Sequence, residues 1–385
     1  MNVVYTIAGL SPEFGGPSHS VPALAEAIAR ENIVVDLVAC AAAKSERAIV
    51  LPQGARVRTK FVSNAARRFQ WFARTNQFFR AVTERATNES VIHDNGLWLP
   101  TNHAVAVAAR VLKRPFLISP RGMLSRWERR HRRWKKEVAW ILFQRNDLYR
   151  ATALHATSAN EANDFRTAGY RGPIAVVPNG VAIPTDRAPR AIGRSKRNAI
   201  CITRIHPKKG LHDLIDAWRR VKPNDWRMII AGHDEDRHRE ELEIEIRKTG
   251  LSEAFEFIGP VEGEQKQALF CNADLFILPS HSENFGMVIA EALAYGVPVI
   301  TTRGTPWEDL IKHRCGWWEE IGVDPLARAL RQATTLPAET RDEMGKRGRE
   351  LVAQKYSWSR VAKEMQSVYG WLVGQSDRPQ CVVCD

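Results

Sequence analysis

Apolar positions along the chain gather in short continuous runs, separated by longer stretches with a helical period. The first half carries Met1–Ile7, Ile33–Ala39, Val57–Val62, Ser90–His93, Pro115–Ser119, Ala153–Ala156 and Ile174–Val177. The second half carries Ala199–Ile202, Met228–Ala231, Phe255–Val261, Ala273–Pro279 and Val297–Thr301. Runs this short and this apolar read as strands buried on both faces, and the segments between them as amphipathic helices. Strands alternating with helices predict an α/β chain with parallel sheets covered on both faces. The alternation fails once, over residues 183–198, a basic and Pro-containing stretch with no apolar period, which reads as a linker. The expected organisation is a first domain over 1–182, the linker, a second domain over 199–355, a helix over 356–372 and a tail over 373–385. One long helical stretch is expected from about Pro325 to Lys355, another from Ser357 to Gly370, and the tail after Val373 reads as frayed.

Chemistry collects where strands end, because ligands of parallel sheets bind beyond the carboxyl ends of the strands. The densest such place follows Ala273–Pro279: Ser282-Glu283-Asn284-Phe285-Gly286-Met287-Val288-Ile289-Ala290-Glu291. It reads as a loop entering a helix that stops at Gly296, with Asn284 placed to cap the helix and Gly286 leaving its first turn uncluttered. Free N–H groups of a first turn favour an anion such as a diphosphate. Glu283 in the loop and Glu291 inside the helix stand ~10 Å apart at about 1.5 Å per residue, a span that suits a sugar nucleotide. Two acids at this spacing are also compatible with an ordinary turn and a solvated helix face. After Ala199–Ile202 comes the basic loop Thr203-Arg204-Ile205-His206-Pro207-Lys208-Lys209-Gly210, in which Arg204 and Lys209 can close on a diphosphate.

The first half has its own strand-end islands. Gly15-Gly16-Pro17 precedes a helix, and glycine there lets backbone approach a ligand closely. His93-Asp94-Asn95-Gly96-Leu97-Trp98 and Ser119-Pro120-Arg121-Gly122 end two strands, so His93 and Arg121 are candidates on that side. Thr157-Ser158-Ala159-Asn160-Glu161 reads as a capped helix start. Asp234-Glu235-Asp236 reads as a surface turn, and no Asp-x-Asp triplet stands where a catalytic metal would need it.

Charge sharpens one segment. The chain carries a net +13, and from Arg121 to Lys136 there are eight Lys or Arg against one acid. Trp127, Trp134 and Ile141 recur every seven residues there, with Val138 and Leu142 nearby, an apolar stripe on an otherwise basic helix spanning about 124–145. Two compatible readings stay open: the stripe packs on its own domain and the charges are solvated, or the helix rests on an anionic membrane surface and recruits a lipid-linked acceptor. No zinc finger, homeodomain or RNA-binding aromatic motif accompanies the charge, so nucleic acid is not the expected partner. No apolar run approaches the ~20 residues that cross a bilayer, and the amino terminus lacks a basic leader. A cytoplasmic location is expected, at the inner face of the cytoplasmic membrane if the lipid reading holds. Six scattered cysteines, Cys40, Cys201, Cys271, Cys315, Cys381 and Cys384, suggest reduced thiols, four of them in core surroundings. Cys381 and Cys384 lack a second pair that would complete a zinc site.

Five islands in order, Gly15-Gly16, His93 to Trp98, Pro178 to Val181, Arg204 to Gly210 and Glu283 to Glu291, resemble the signature of retaining GT-B glycosyltransferases of family four, which includes sucrose synthases and many bacterial polysaccharide enzymes. The resemblance covers nearly the whole chain. It implies two Rossmann-like domains with parallel sheets facing across a cleft. It also implies transfer of a sugar from a nucleoside diphosphate sugar to an acceptor hydroxyl with retention, without a metal or other cofactor. Carried over residue by residue, it gives Arg204, Lys209 and Glu283 the catalytic roles. Gly15, Gly16, Val261, Asn284, Phe285, Gly286 and Glu291 fall on the donor, with Glu291 on the ribose, and His93 and Arg121 on the acceptor side. Many relatives have a histidine where Arg121 stands, so its role is open between donor and an acidic acceptor group. The expected acceptor is a lipid-linked saccharide in exopolysaccharide, capsule or O-antigen assembly. Alternatives are a non-catalytic nucleotide-sugar or polyanion binding protein and a nucleotide-sugar epimerase.

Overall fold

The computed structural model describes residues 1–11, 15–41, 51–52, 54–62, 70–125, 128, 133–185, 195–235 and 237–384. It divides into two compact units, Met1–Gly180 with Trp358–Asp385, and Val181–Ser357.

The first unit is built on eight strands, β1 (Asn2–Ile7), β2 (Val34–Cys40), β3 (Val57–Val62), β4 (Ser90–Asn95), β5 (Phe116–Ser119), β6 (Ala153–Ala156), β7 (Ile174–Val176) and, from the end of the chain, β14 (Val382–Val383). Their order in the sheet is β14-β7-β6-β5-β4-β1-β2-β3. β1 to β7 pair in parallel, as their buried runs require. β14 pairs antiparallel with β7, with Val382 opposite Ala175 and Val383 opposite Ile174. The tail expected to fray is therefore part of the sheet: Val382 is buried, and the Val176 amide donates to the Cys381 carbonyl at 2.8 Å. An unpaired edge at β7 would leave its backbone groups open, and the returning chain covers them.

Two apolar clusters clothe this sheet. One joins Val21, Leu24 and Ile28 of the helix Gly16–Arg30 to Val361, Met365 and Val368 of the helix Trp358–Leu372. The other joins Ile92, Ile118 and Leu154 to Phe78, Val82 and Val105 of the helices Gln70–Arg85 and Pro100–Leu112.

From Arg133 to Tyr149 the basic segment is helical without interruption, with a π turn inside it. Arg133–Ala139 is α-helical, Trp140–Gln144 forms a π turn, and Arg145–Tyr149 resumes the α-helix. The described part of the apolar stripe does not pack on the domain: Trp134 is 69% exposed and Ile141 79%, with Val138 and Leu142 also exposed. Ala139, Gln144, Asp147 and Leu148 turn inward instead. Trp127 lies outside the described residues.

The second unit is a six-stranded parallel sheet in the order β10-β9-β8-β11-β12-β13: β8 (Arg197–Ile202), β9 (Trp226–Ala231), β10 (Phe255–Gly259), β11 (Leu275–Leu278), β12 (Val299–Thr302) and β13 (Gly316–Glu319). Arg197 and Asn198 belong to β8, so the linker ends before them; residues 186–194 lie outside the described set. The helical stretch expected from Pro325 to Lys355 is two helices, Val323–Thr335 and Ala338–Leu351, followed by a π turn, Val352–Tyr356. The break falls at Leu336-Pro337, where Leu336 takes an extended conformation at φ −61° and ψ 145°. A residue before proline is driven out of the helical region by the ring. Cys201, Cys271 and Cys315 are buried free thiols, while Cys40 and Cys381 are half-buried and Cys384 is exposed.

Candidate functional site

In the second unit, β8, β11 and β12 are neighbours, so the loops leaving their carboxyl ends lie side by side. Main-chain hydrogen bonds stitch these loops together. His281 donates from its amide to the Lys208 carbonyl at 2.8 Å, and Glu283 to the Gly304 carbonyl at 2.7 Å. Two glycines permit the approach. A Cβ on Gly210, at φ +67°, would stand 2.1 Å from the Pro279 carbonyl oxygen, and one on Gly304 would stand 2.4 Å from that of Ser280.

The β8 loop turns through a short 3₁₀ segment, Pro207–Lys209, with the His206 ring accepting from the Lys208 amide. This places Lys209, which is buried, with its Nζ donating to Glu283 Oε1. Arg204 at the head of the loop is more open and donates from Nη1 to Glu235 Oε1 at 2.6 Å. Glu235, expected on an indifferent surface turn, is thus the counter-ion of a candidate catalytic arginine; Asp236 lies outside the described residues. Both basic groups expected on an anion are paired with carboxylates.

The helix after Glu283 runs Met287–Ala294, and its N-cap is Gly286, not Asn284. Gly286 sits at φ 79° and ψ 62°, and no side chain caps this helix end. The left-handed turn is what glycine supplies here, and the N–H groups of the first turn keep no side-chain acceptor. Phe285 is buried against Trp307 and Tyr356, with ring centroids at 5.4 and 5.7 Å, and its carbonyl accepts from Trp307 Nε1 at 2.6 Å. Its side chain and its carbonyl both anchor the loop.

One turn into that helix region, Glu291 Oε1 accepts from Lys266 Nζ at 2.7 Å. Glu291 Oε2 is buried and has no hydrogen-bond partner among the described residues. A buried carboxylate oxygen without a donor costs about 1–3 kcal/mol. Lys266 lies in the helix Gly263–Cys271, just after Val261, which packs half-buried on the core of this unit. Sequence reasoning passed over Lys266, because a Lys–Glu pair 25 residues apart leaves no local signature.

In the first unit, Gly15 takes φ 73° at the cap of the helix Gly16–Arg30, and a Cβ on either Gly15 or Gly16 would meet nothing within 4 Å. That clearance is among the described residues, which leave out 12–14 just before Gly15.

His93 is fully buried, and both ring nitrogens are engaged. It belongs to a chain of five groups whose proton positions can be worked out. His155 Nε2 lies 2.8 Å from the Val177 carbonyl, which only accepts, so His155 donates there and its Nδ1 accepts from Ser119 Oγ at 2.6 Å. Ser119 Oγ then accepts from His93 Nε2 at 2.6 Å, His93 Nδ1 accepts from the Tyr369 hydroxyl at 2.8 Å, and that hydroxyl accepts from Tyr5 at 2.5 Å. Every member is neutral in this arrangement. Burial drives His93 well below the ordinary histidine value and His155 down to about 3, and raises Tyr5 and Tyr369. The chain locks the helix Trp358–Leu372 to β1, β4, β5 and β6, and both ring nitrogens of His93 are used inside the core.

Arg121 sits at φ 54°, a left-handed turn held by the buried Glu161, whose Oε1 accepts from the Gly122 amide at 2.6 Å. The helix Ala159–Thr167 that carries Glu161 is capped by Ser158 as its sequence indicates. The Arg121 guanidinium donates to Asn95 Oδ1 at 3.1 and 2.8 Å and to Asn179 Oδ1 at 2.9 Å. Its hydrogen-bonded partners are neutral amides, and burial lowers its pKa. A guanidinium has five N–H groups, so these three contacts leave capacity for an anion.

Comparison with known proteins agrees with this layout. Residues 15–180 match the glycosyl transferase 4-like domain, and residues 182–351 match the family described as glycosyl transferases group 1. The chain belongs to the group 1 glycosyl transferases. Among curated relatives, the lipopolysaccharide core biosynthesis mannosyltransferase LpsB of Rhizobium meliloti is 30% identical over 231 residues, 56% of this chain and 60% of that protein. Across the first curated relatives of this group 1 chain, the matched stretch spans 26% to 60% of their length.

Among solved structures, sucrose-phosphate synthase from Thermosynechococcus elongatus superimposes with a TM-score of 0.78 at 19% identity, covering 98% of this chain and 100% of that one. Anabaena Alr3699/HepE in complex with UDP-glucose gives 0.75 at 19% identity, covering 96% and 100%. These likenesses establish the fold, the two-domain α/β architecture of GT-B glycosyltransferases. Among the described residues, no helix is long and apolar enough to cross a membrane.

Proposed function

We propose that this protein is a retaining glycosyltransferase that binds a nucleoside diphosphate sugar on its second unit and transfers the sugar to an acceptor hydroxyl. The observation that carries this reading is the placement of Lys209 and Glu283 in contact on adjoining strand-end loops, with the Glu291 Oε2 left unpartnered in the helix that follows. Glu291 accepts from a ribose hydroxyl. The diphosphate takes Lys209 and Arg204 from their carboxylates, together with the amides at Gly286 to Val288, and Glu283 orients the sugar hydroxyls.

The donor C1–phosphate oxygen bond breaks while the bond from C1 to the acceptor oxygen forms on the same face, and the acceptor proton passes to the departing phosphate oxygen. Charge builds on the diphosphate as the sugar leaves, and two fixed cations with a helix N-terminus stabilise it there more than in the ground state. No side chain acts as a covalent nucleophile. HepE, solved with UDP-glucose, supports the donor class.

The acceptor side belongs to the first unit, with Arg121 as the group for an anionic part of the acceptor. A lipid-linked saccharide fits the exposed Trp134, Val138, Ile141 and Leu142 beside the exposed cations Lys135, Arg145 and Arg150. Apolar side chains ringed by cations suit the interface of an anionic bilayer. LpsB, a lipopolysaccharide core enzyme by description, points to the same class of surface glycan.

Product analysis tests the reading. Purified protein incubated with radiolabelled UDP-, GDP- and ADP-sugars and a membrane lipid extract should label a lipid-extractable product with one donor. Donor turned over to an isomeric nucleotide sugar without acceptor would make the protein an epimerase, and binding without any turnover would make it a non-catalytic receptor.

A further inference from the structure

One cluster of side chains lies outside the donor-binding residues and has no part in the proposed reaction. His212 is in the first turn of the helix Leu211–Val221, and His238 and Glu241 are in the first turn of the helix His238–Lys248. Each offers one ligand atom, and these atoms all lie within 4.8 Å of one another. The two imidazole rings meet edge to face with centroids 5.0 Å apart.

His238 is 3% exposed, its Nδ1 lies 2.9 Å from Glu241 Oε2, and its Nε2 is buried with no hydrogen-bond partner among the described residues. His212 Nδ1 is in turn paired with Glu245 Oε2, one turn beyond Glu241. An ordinary core histidine has both nitrogens satisfied, as His93 and His155 do in the first unit. Two imidazoles and a carboxylate drawn together from two helices, one ring nitrogen being left over, form the donor set of a three-ligand zinc site with water in the fourth position. A second carboxylate on a ligating histidine is the arrangement that fixes its tautomer and orientation.

We propose that His212, His238 and Glu241 bind a divalent first-row cation, zinc foremost, with Glu245 orienting His212. The ion takes no part in the sugar transfer. It joins the amino-terminal turns of two helices that follow the loops carrying Arg204 with Lys209 and Glu235. His212 is next to Asp213, whose Oδ2 lies 3.0 Å from His281 Nε2, two residues before Glu283. Occupancy therefore stiffens the base on which the basic loop and the acidic loop stand, while the sugar-transfer chemistry stays with the residues named for it.

The test uses the full chain without an affinity tag, stripped with a chelator and titrated with Zn²⁺ alone against a chromophoric chelator. Melting curves are taken with and without the metal, and a Co²⁺ spectrum is recorded. Expected are one equivalent bound per chain, a higher melting temperature with zinc, and a Co²⁺ spectrum without thiolate charge transfer. His212→Ala and Glu241→Gln, both at exposed positions, should each weaken zinc by more than the roughly ten- to hundredfold that losing an outer-shell partner costs and leave the melting temperature of the stripped protein nearly unchanged. The double variant Cys381→Ser, Cys384→Ser should bind as the parent does. Absence of stoichiometric binding, indifference to both His212→Ala and Glu241→Gln, or loss in the cysteine variant would each overturn the proposal.

Discussion

Lys209 Nζ donates to Glu283 Oε1, so the basic loop after β8 and the acidic loop after β11 are joined by a charge pair between residues 74 positions apart. Both partners are mostly shielded, with side chains 10% and 16% exposed. Removing one therefore leaves the other as an unpaired, poorly hydrated charge.

Lys209→Ala should weaken nucleoside diphosphate binding about ten- to a hundredfold, the size of losing one or two charge-assisted hydrogen bonds. Isothermal titration with the diphosphate alone reads this directly. Unchanged affinity would remove Lys209 from the anion site.

Glu283→Gln keeps the shape of the side chain and takes away its charge. Nucleotide affinity should stay within a few-fold, while transfer at saturating donor drops about a hundredfold or more, because the group acts on the sugar as charge develops. A variant that loses nucleotide binding and keeps its turnover would reverse this assignment.

Glu291→Ala should weaken a ribonucleoside diphosphate about tenfold. Against the matching 2′,3′-dideoxy nucleotide the same substitution should have little effect, since the Oε2 left unpartnered in the structure would then have no hydroxyl to accept from. Equal losses with the two ligands would mean that Glu291 acts through Lys266 or through packing and not on the ribose.

The buried groups of the first unit give its stability two opposite pH dependences. His93 and His155 have folded pKa values below the ordinary 6.5, His155 at about 3, so their neutral hydrogen-bonded chain is fully stabilising above pH 6.5 and loses that contribution as pH falls below it. Asp94 is the reverse case. Burial lifts it from 3.8 to about 7 against the hydrogen bonds from Thr6 and Asn102, so stability is lost as pH rises through that window. At about 1.4 kcal/mol per pKa unit, the Asp94 effect amounts to roughly 4 kcal/mol at most. Melting temperatures of Asp94→Asn and the parent, compared from pH 5 to pH 8, should shift in favour of the variant as pH rises. A difference independent of pH would show that Asp94 is ionised throughout.

Membrane contact through the basic helix is separable from the chemistry. Ile141→Glu with Leu142→Glu should abolish co-sedimentation with vesicles containing anionic phospholipid and leave donor binding intact, both side chains being exposed. Parent protein that ignores such vesicles at low salt would refute the contact.

Much of this was legible in the chain because buried parallel strands print themselves as short apolar runs. Twelve of the strands in the two sheets fall on such runs, while β13, Gly316–Glu319, and β14 do not. β14 has only two residues, too few for any period, and exists because β7 needs a neighbour. The break at Leu336-Pro337 did carry a signal, the proline itself, which the helical period on both sides obscured.

At the site, the loops carrying Arg204, Lys209, Glu283 and Glu291 were visible as strand-end motifs. Their ion pairs with Glu235 and Lys266 were not, since those pairings depend on which strands neighbour each other. Asn284 looked like a cap by residue type, yet the left-handed turn at Gly286 sets where the helix begins.

The most direct measurement is a titration of UDP, GDP and ADP into the parent protein and into Lys209→Ala, followed by heat of binding. One diphosphate should bind the parent at one site per chain, and the single lysine substitution should remove most of that affinity. If none of the three binds, or if one binds equally well without the lysine, then the paired loops after β8 and β11 do not hold a nucleotide diphosphate.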